Sequence, residues 1–247
     1  MATEQAKAYM AEHEEGSFTL LDVRQPGEYE NSRIPGATLI PLPELADRLG
    51  ELDPDKPIIP YWAVGGRSRA AAQLLAGKGF KEVYNLKGGI KAWQGLKAEG
   101  PAEMGMIPLS GDETESDIIN IAYEMENGLE EFYSAVSDVT SDTETIDILA
   151  KLAKIEENHK QKLFDLYRTL NPGVDDKEAF EANISSDRME GGFTTEEFLK
   201  QNRRLMETVS DVLSIAMMLE TQALDLYLRY SQKLKKEDSK TILYDIA

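Results

Sequence analysis

The strongest constraint on this chain is a break in its sequence pattern between residues 100 and 112. This stretch, GPAEMGMIPLSGD, spaces glycine and proline more closely than a helix or a central strand tolerates. Short apolar runs alternate with helical segments before it, and only long helical patterns follow it. A chain of 247 residues is long enough for two domains of ordinary size. We therefore predict a first domain over residues 1–100, a linker over 101–113 and a second domain over 114–247.

Charge divides the chain at the same place. Residues 1–100 carry 14 acidic and 12 basic side chains, and the rest of the chain carries 31 and 15. The formal charge of −18 argues against nucleic acid and anionic membranes as partners. The absence of cysteine excludes disulfides, thiolate metal sites and thiol nucleophiles. The start of the chain lacks the apolar core of a signal peptide, and no long apolar segment follows, which predicts a cytoplasmic protein.

The first domain has the pattern of an α/β fold. Three apolar runs, at 18–23, 58–62 and 83–86, are typical of buried strands, and the segments 43–49 and 68–78 have helical composition. Strands separated by helices predict a parallel sheet flanked by helices. Ligands of such sheets bind in the loops that follow the carboxyl ends of the strands.

One of these loops leads directly from a strand into the start of a helix. It has the sequence WAVGGRS and is called here the 62–68 loop. Successive backbone amides, the helix dipole and a nearby arginine together suit an anion, although a tight structural turn explains the sequence equally well. The candidate anion-binding residues are Ala63, Val64, Gly65, Gly66, Arg67 and Ser68.

The first domain resembles the rhodanese family. The resemblance rests on the 62–68 loop and on the motifs Asp22-Val23-Arg24, Gly27-Glu28-Tyr29-Glu30, Arg33-Ile34-Pro35-Gly36-Ala37 and Leu86-Lys87-Gly88-Gly89-Ile90-Lys91-Ala92-Trp93. It implies sulfur transfer by a cysteine at the first position of the loop, which in this chain is Trp62. Since an indole ring has no nucleophilic atom, we expect the domain to be inactive in sulfur transfer, with a sulfur-containing anion as its candidate ligand. An active sulfurtransferase is the alternative if residue 62 is cysteine in the natural gene.

The second domain has the pattern of an antiparallel helical bundle. Asn171-Pro172-Gly173 ends one helical segment, and Thr194 with Glu197 forms a capping box at the start of another. The predicted helices cover residues 114–139, 142–170 and 195–236, with a fourth that begins near 238 and is cut short.

Two motifs on these helices have the spacing of metal ligands. The segments 121–133 and 215–227 align without a gap, and each carries a glutamate followed seven residues later by a tyrosine. Seven residues are nearly two helical turns, so each glutamate shares a helix face with its tyrosine. Glu156 and His159, three residues apart, share a face on the helix between them. Taken alone, the glutamates and the Glu-x-x-His pair are more simply explained as solvated side chains, and the tyrosines as packing residues. Their occurrence together predicts a metal site with carboxylate and imidazole ligands. The residues are Glu126, Glu156, His159 and Glu220, with Tyr133 and Tyr227.

The second domain resembles the rubrerythrin-type ferritin-like proteins. This resemblance implies a four-helix bundle in which Glu126, Glu156, His159 and Glu220 bind two iron ions, with manganese or zinc as alternative metals. Tyr133 and Tyr227 would donate hydrogen bonds around the ligands. The implied activity is reduction of peroxide or dioxygen with an unknown electron donor, and we expect a homodimer.

One feature of the second domain leaves another interpretation open. The fourth helix stops where the resemblance places a second Glu-x-x-His motif, and whether such a motif follows Ala247 is left open. The alternative is a binding or scaffold protein that holds no metal.

Overall fold

The computed structural model describes residues 1–64, 66–101, 112–184, 194, 196, 198, 200 and 208–246. The chain divides into two units. The first comprises Met1–Glu103 together with Leu224–Arg229, and the second comprises Met104–Ala223 and Tyr230–Ile246. Most of the predicted linker, 101–113, lies outside the described residues. None of the helices in the described ranges is long and apolar enough to cross a membrane.

A parallel sheet forms the centre of the first unit. Its described strands are β1 (Thr19–Asp22), β2 (Thr38–Leu39) and β3 (Ile58–Tyr61), in the order β2-β1-β3. All four residues of β3 are buried, because helices and loops cover both faces of a parallel sheet. Ile58 packs in one core cluster and Ile59 in another, as the alternation of side chains along a strand requires.

Helices surround this sheet. Pro26 begins one of them, at the first helical position, where its missing N–H is not needed. They are α1 (Thr3–Glu12), α2 (Pro26–Asn31), α3 (Gly66–Gly77) and α4 (Gly89–Ala92). The predicted α/β class and parallel sheet are therefore confirmed.

Two predicted details of the first unit are wrong, and one strand, β2, was not predicted. The run 83–86 is not a full strand, since Val83 makes only an isolated bridge with Ile58. The N–H groups of Tyr84 and Leu86 donate to the carbonyls of Ile58 and Pro60, but Pro60 has no N–H to donate in return, so the ladder beside β3 is incomplete. Residues 43–49 form turns that lead into the 3₁₀ turn Leu49–Glu51 in place of an α-helix. The two-residue strand β2 is too short to have a detectable period.

Long helices follow the linker, as predicted. Thr114 and Asp142 cap two of them, accepting hydrogen bonds from backbone N–H groups of the first turns. The helices are α5 (Glu115–Val139), α6 (Thr143–Leu170), α7 (Lys177–Glu181), α8 (Val209–Ser231) and α9 (Glu237–Ile246). Helices α5 and α6 pack against each other, and α5 contributes Leu129 and Phe132 to the core cluster of the second unit.

The predicted third helix, 195–236, has different bounds in the structure. Helix α8 begins at Val209, because Thr208 caps it by accepting a hydrogen bond from the N–H of Asp211, and it ends at Ser231. Of the predicted capping box at Thr194, Glu197 lies outside the described residues. The sequence pattern also missed α7, in which Phe180 packs its ring against Tyr123 and Tyr167.

Candidate functional site

The 62–68 loop leaves β3 and enters α3, and α4 fixes its backbone. The carbonyl of Trp62 accepts a hydrogen bond from the N–H of Ile90 at 2.9 Å, and that of Ala63 accepts one from Lys91 at 3.1 Å. This contact requires glycine at residue 89, where φ is +58° and a Cβ would lie 1.9 Å from the Trp62 oxygen.

Several hydrogen-bond donors of this loop have no acceptor within the described part of the chain. The backbone N–H groups of Ala63 and Val64 donate no hydrogen bond there, and Gly65 lies outside the described residues. The Nε1 of Trp62 and the Oγ of Ser68 are buried and also lack a partner among the described residues. Because buried donors are normally satisfied, these groups at the start of a helix are suited to an acceptor oxygen.

The Trp62 side chain occupies the loop. The half-buried indole packs against the core cluster that contains Leu21 and Leu75. The Arg67 guanidinium lies 4.6 Å from the centre of the ring, within the range of a cation–π contact. The loop therefore presents an arginine and an indole N–H in a place where the rhodanese resemblance implies a thiol.

A second site lies between α5 and α6 in the other unit. The Nδ1 of His159 is 3.0 Å from Oε2 of Glu156 and 3.3 Å from Oε2 of Glu126. One potential ligand atom from each residue lies within 4.8 Å of the others. The fold thus brings together three of the four residues that the sequence nominated as metal ligands.

The burial and chemistry of this cluster fit a metal ion. Glu156 is fully buried, and neither of its oxygens has a hydrogen bond of normal geometry with a described residue. Glu126 is 12% exposed and His159 is 34% exposed, so one side of the cluster is open to solvent. Two carboxylates and one imidazole are suitable donors for iron, manganese or zinc.

Electrostatics in the cluster follow from burial and proximity. Burial raises the pKa of Glu156 to about 7; His159 opposes this shift and Glu126 adds to it. The adjacent carboxylates of Glu126 and, secondarily, Glu156 raise the pKa of His159 to about 10. A protonated imidazole therefore offsets the carboxylates in the metal-free protein, and a divalent cation that displaces this proton would take over its role.

Comparison with known proteins assigns the first unit. A family model described as "Rhodanese-like domain" matches residues 4–96. The thiosulfate sulfurtransferase GlpE of Pseudomonas syringae pv. syringae is 37% identical over 91 residues, which are 37% of this chain and 82% of GlpE. The chain belongs to the rhodanese-like family.

Other relatives of the rhodanese-like domain come from Bacillus subtilis. The uncharacterized protein YqhL is 49% identical over 81 residues, which are 32% of this chain and 64% of YqhL. The putative sulfur carrier protein YrkF is 40% identical over 79 residues, 32% of this chain and 43% of YrkF. The chain thus spans less than two thirds of either protein. The rhodanese-like domain is related to sulfurtransferases and sulfur carriers.

Among solved structures, the Alr3790 protein from Anabaena sp. is 34% identical to this chain. The similarity covers 42% of this chain and 82% of that protein, with a TM-score of 0.38. The cluster of Glu126, Glu156 and His159 lies outside residues 4–96, the part of the chain that the rhodanese-like family model covers.

Three other nominated residues lie outside this cluster of three. Glu220, on α8, is exposed to solvent, and desolvation by the surrounding protein and, secondarily, the charge of Glu156 raise its pKa. Glu220 therefore lies within the electrostatic reach of the cluster. Tyr133 is buried in the core of the helical unit, and Tyr227 is buried in the segment Leu224–Arg229, which belongs to the rhodanese-like unit.

A buried lysine beside the cluster was missed by the sequence analysis. Lys160 is 7% exposed, donates a hydrogen bond to Oδ1 of Asn127 at 2.8 Å and forms an ion pair with Glu130. On a helix with five acidic and five basic side chains, a lysine is expected to be solvated. The available signal was its position four residues after Glu156, on the same face of α6.

Proposed function

We propose that this chain is a non-haem metal oxidoreductase with a ferritin-like helical domain, fused to a rhodanese-like domain that binds a sulfur-containing anion without transferring sulfur. The proposed substrate of the helical domain is peroxide or dioxygen. One observation carries this proposal: ligand atoms from α5 and α6 converge on a fully buried carboxylate that has no normal hydrogen-bond partner among the described residues.

Glu126, Glu156 and His159 would hold the metal, with Glu220 as a further carboxylate. When bound, iron would supply the electrons that reduce the oxidant, and an external donor would restore them. Glu126 and Glu220 occupy equivalent positions of the internal repeat, which supports a common role. Each carboxylate has two oxygens, so the same residues could extend to the second iron ion of the ferritin-like resemblance.

The protein would contribute to this chemistry by positioning the metal ligands and by controlling the access of water and of the oxidant. The full burial of Glu156 withholds water from one side of the cluster, while the exposed part of His159 leaves room for a small oxidant. The ion pair of Lys160 with Glu130 compensates a neighbouring acidic charge on α5. Attraction between the carboxylates and the cation would therefore be concentrated on Glu126 and Glu156.

We expect the full chain to bind at least one Fe(II) ion per chain, measured by anaerobic calorimetry and by metal analysis. Loss of a ligand atom in Glu126→Gln or His159→Gln is expected to weaken binding about 10- to 100-fold. Glu157→Gln is the matched control, because Glu157 is an exposed carboxylate on the same helix that pairs with Lys154. Equal affinity in the control and both ligand variants would refute the proposed centre.

The rhodanese-like domain supports a second candidate function, recognition of a small sulfur-containing oxyanion. The supporting observation is the pair of buried donors without a described partner, Trp62 Nε1 and Ser68 Oγ. Arg67 adds a positive charge next to the indole. An oxyanion would accept hydrogen bonds from these groups and from the N–H groups of Ala63 and Val64, which donate to no described residue.

Titration with thiosulfate is expected to shift the Trp62 indole N–H signal in an ¹H–¹⁵N spectrum. Trp93 provides an internal reference, because its Nε1 already donates to the carbonyl of Leu96 at 3.0 Å and should not respond. The Ser68→Ala variant is expected to weaken the response, since it removes one donor. A spectrum in which neither indole signal moves at millimolar thiosulfate would contradict anion binding by this loop.

A further inference from the structure

The rhodanese-like unit contains a buried charge from a distant part of the chain. Asp225, in the segment Leu224–Arg229 of this unit, is fully buried. Its Oδ2 accepts hydrogen bonds from Nε and Nη2 of Arg33 at 3.0 and 2.7 Å, and from Nε of Arg229 at 2.8 Å. Its Oδ1 accepts one from the N–H of Gly36 at 3.0 Å. Four donors thus satisfy this carboxylate.

Arg33 is buried as completely as its partner. It is 1% exposed, its Nη1 donates to the carbonyl of Gly100 at 2.6 Å, and its guanidinium lies 4.7 Å from the ring centre of Tyr29. Its backbone also forms an isolated bridge with Ala98. Arg33 therefore joins the turn 33–36 to residues 98–100, and Asp225 neutralises it.

Leu228 adds an apolar contact on the same side of the helix. Gly36 has φ +75°, and a Cβ there would lie 2.8 Å from Cδ1 of Leu228. Asp225 and Leu228 are three residues apart, so both reach the turn from one helix face. A carboxylate and a leucine in the pattern Asp-x-x-Leu thus contact the Arg33 guanidinium, the Gly36 N–H and the space left by the missing side chain of Gly36.

We propose that the turn 33–36 is a docking site for a helical segment that carries a buried aspartate, and that Leu224–Arg229 is its permanent occupant and completes the rhodanese-like unit. A buried arginine without a carboxylate partner is strongly unfavourable, so the burial of Arg33 depends on Asp225. The family match ends at residue 96, so the working unit of this chain extends beyond the family boundary.

Hydrogen exchange of the Gly36 amide in the full wild-type chain provides the first test. Its acceptor is the side chain of Asp225, so protection of this turn amide reports directly on docking. We expect it to exchange as slowly as the Val23 amide, which bonds to Tyr61 at the centre of the sheet. Exchange at the rate of an exposed loop would overturn the proposal without any variant.

The second test is Asp225→Asn in the full chain. Loss of the charge should speed Gly36 exchange about 100-fold and lower the thermal midpoint by about 10 °C. Asp165→Asn is the control, because Asp165 is an exposed acid whose contact with Arg168 is 3.8 Å long, and its midpoint should stay within about 1 °C of wild type. Equal midpoints and equal Gly36 exchange in the two variants would overturn the proposal.

Discussion

Replacing Trp62 with cysteine is expected to raise thiosulfate:cyanide sulfurtransfer at least about 100-fold above the wild-type chain, which should show background activity only. The reason is the nucleophile: indole carbon and nitrogen do not attack sulfur, whereas a thiolate does. The measurement is thiocyanate formation over time with purified Trp62→Cys and wild-type protein.

The surroundings of residue 62 favour this gain. The position precedes α3, whose N-terminus lowers the pKa of a thiol, and Arg67 adds a positive charge near it. The N–H groups of Ala63 and Val64 donate no hydrogen bond within the described ranges, so they can hold a persulfide or an oxyanion. Removal of the indole from the core cluster should cost about 3 kcal/mol of stability, which thermal unfolding would measure.

Trp62→Ser is the matched control for this gain. It opens the same space and should lose similar stability, but an unactivated hydroxyl is a far weaker nucleophile, so its activity should remain at background. A folded Trp62→Cys protein without activity would show that the loop has lost more than its nucleophile. Activity in wild type well above background would contradict the inactive interpretation.

The Glu156→Gln variant is expected to have two effects of opposite sign. Fe(II) binding should weaken by at least about 100-fold, because the central carboxylate of the cluster is lost. The metal-free protein should become more stable by about 1–3 kcal/mol, because a neutral amide of the same shape replaces a buried carboxylate without a normal hydrogen bond. His159 keeps Glu126 as its partner in this variant.

Urea unfolding of chelator-treated protein measures the second effect. Glu157→Gln is again the control, and its exposed pair with Lys154 should change stability by less than about 0.5 kcal/mol. Addition of Fe(II) should stabilise wild type and the control but not Glu156→Gln. If Glu156→Gln destabilised the metal-free protein, Glu156 would be a structural partner of His159 and not a residue kept for a cation.

Local sequence patterns predicted much of the fold. The 3.6-residue period located α5 and α6 within one residue of their bounds, and the structure shows Thr114 and Asp142 as their caps. The sequence-based predictions failed where the structure depends on something other than the spacing of apolar residues. Pro60 interrupts the ladder beside β3, and the short strand β2 forms only through its pairing with β1. Helix α8 starts after its capping residue, Thr208, although the sequence before Thr208 also has a helical pattern.

In the candidate sites, too, some features follow from the local sequence and others only from tertiary packing. Glu156 and His159 share a helix face by spacing alone, and the 62–68 loop follows from a strand that runs into a helix. Packing against α5 was needed to bring Glu126 within 3.3 Å of His159, and burial was needed to raise the pKa of Glu156. The buried state of Lys160 depends likewise on its partners across the helix pair.

By itself, the sequence determined the rhodanese-like unit, the helical character of the rest and the residue types of both candidate sites. These properties depend on neighbours within about two helical turns or one strand, which a linear pattern contains. Only the tertiary structure decided that Trp62 packs against a core cluster, that Glu156 is fully buried, and that Arg33 pairs with Asp225 at a separation of 192 residues. Burial and ion pairing between distant residues depend on three-dimensional distance, and one-dimensional spacing does not specify it.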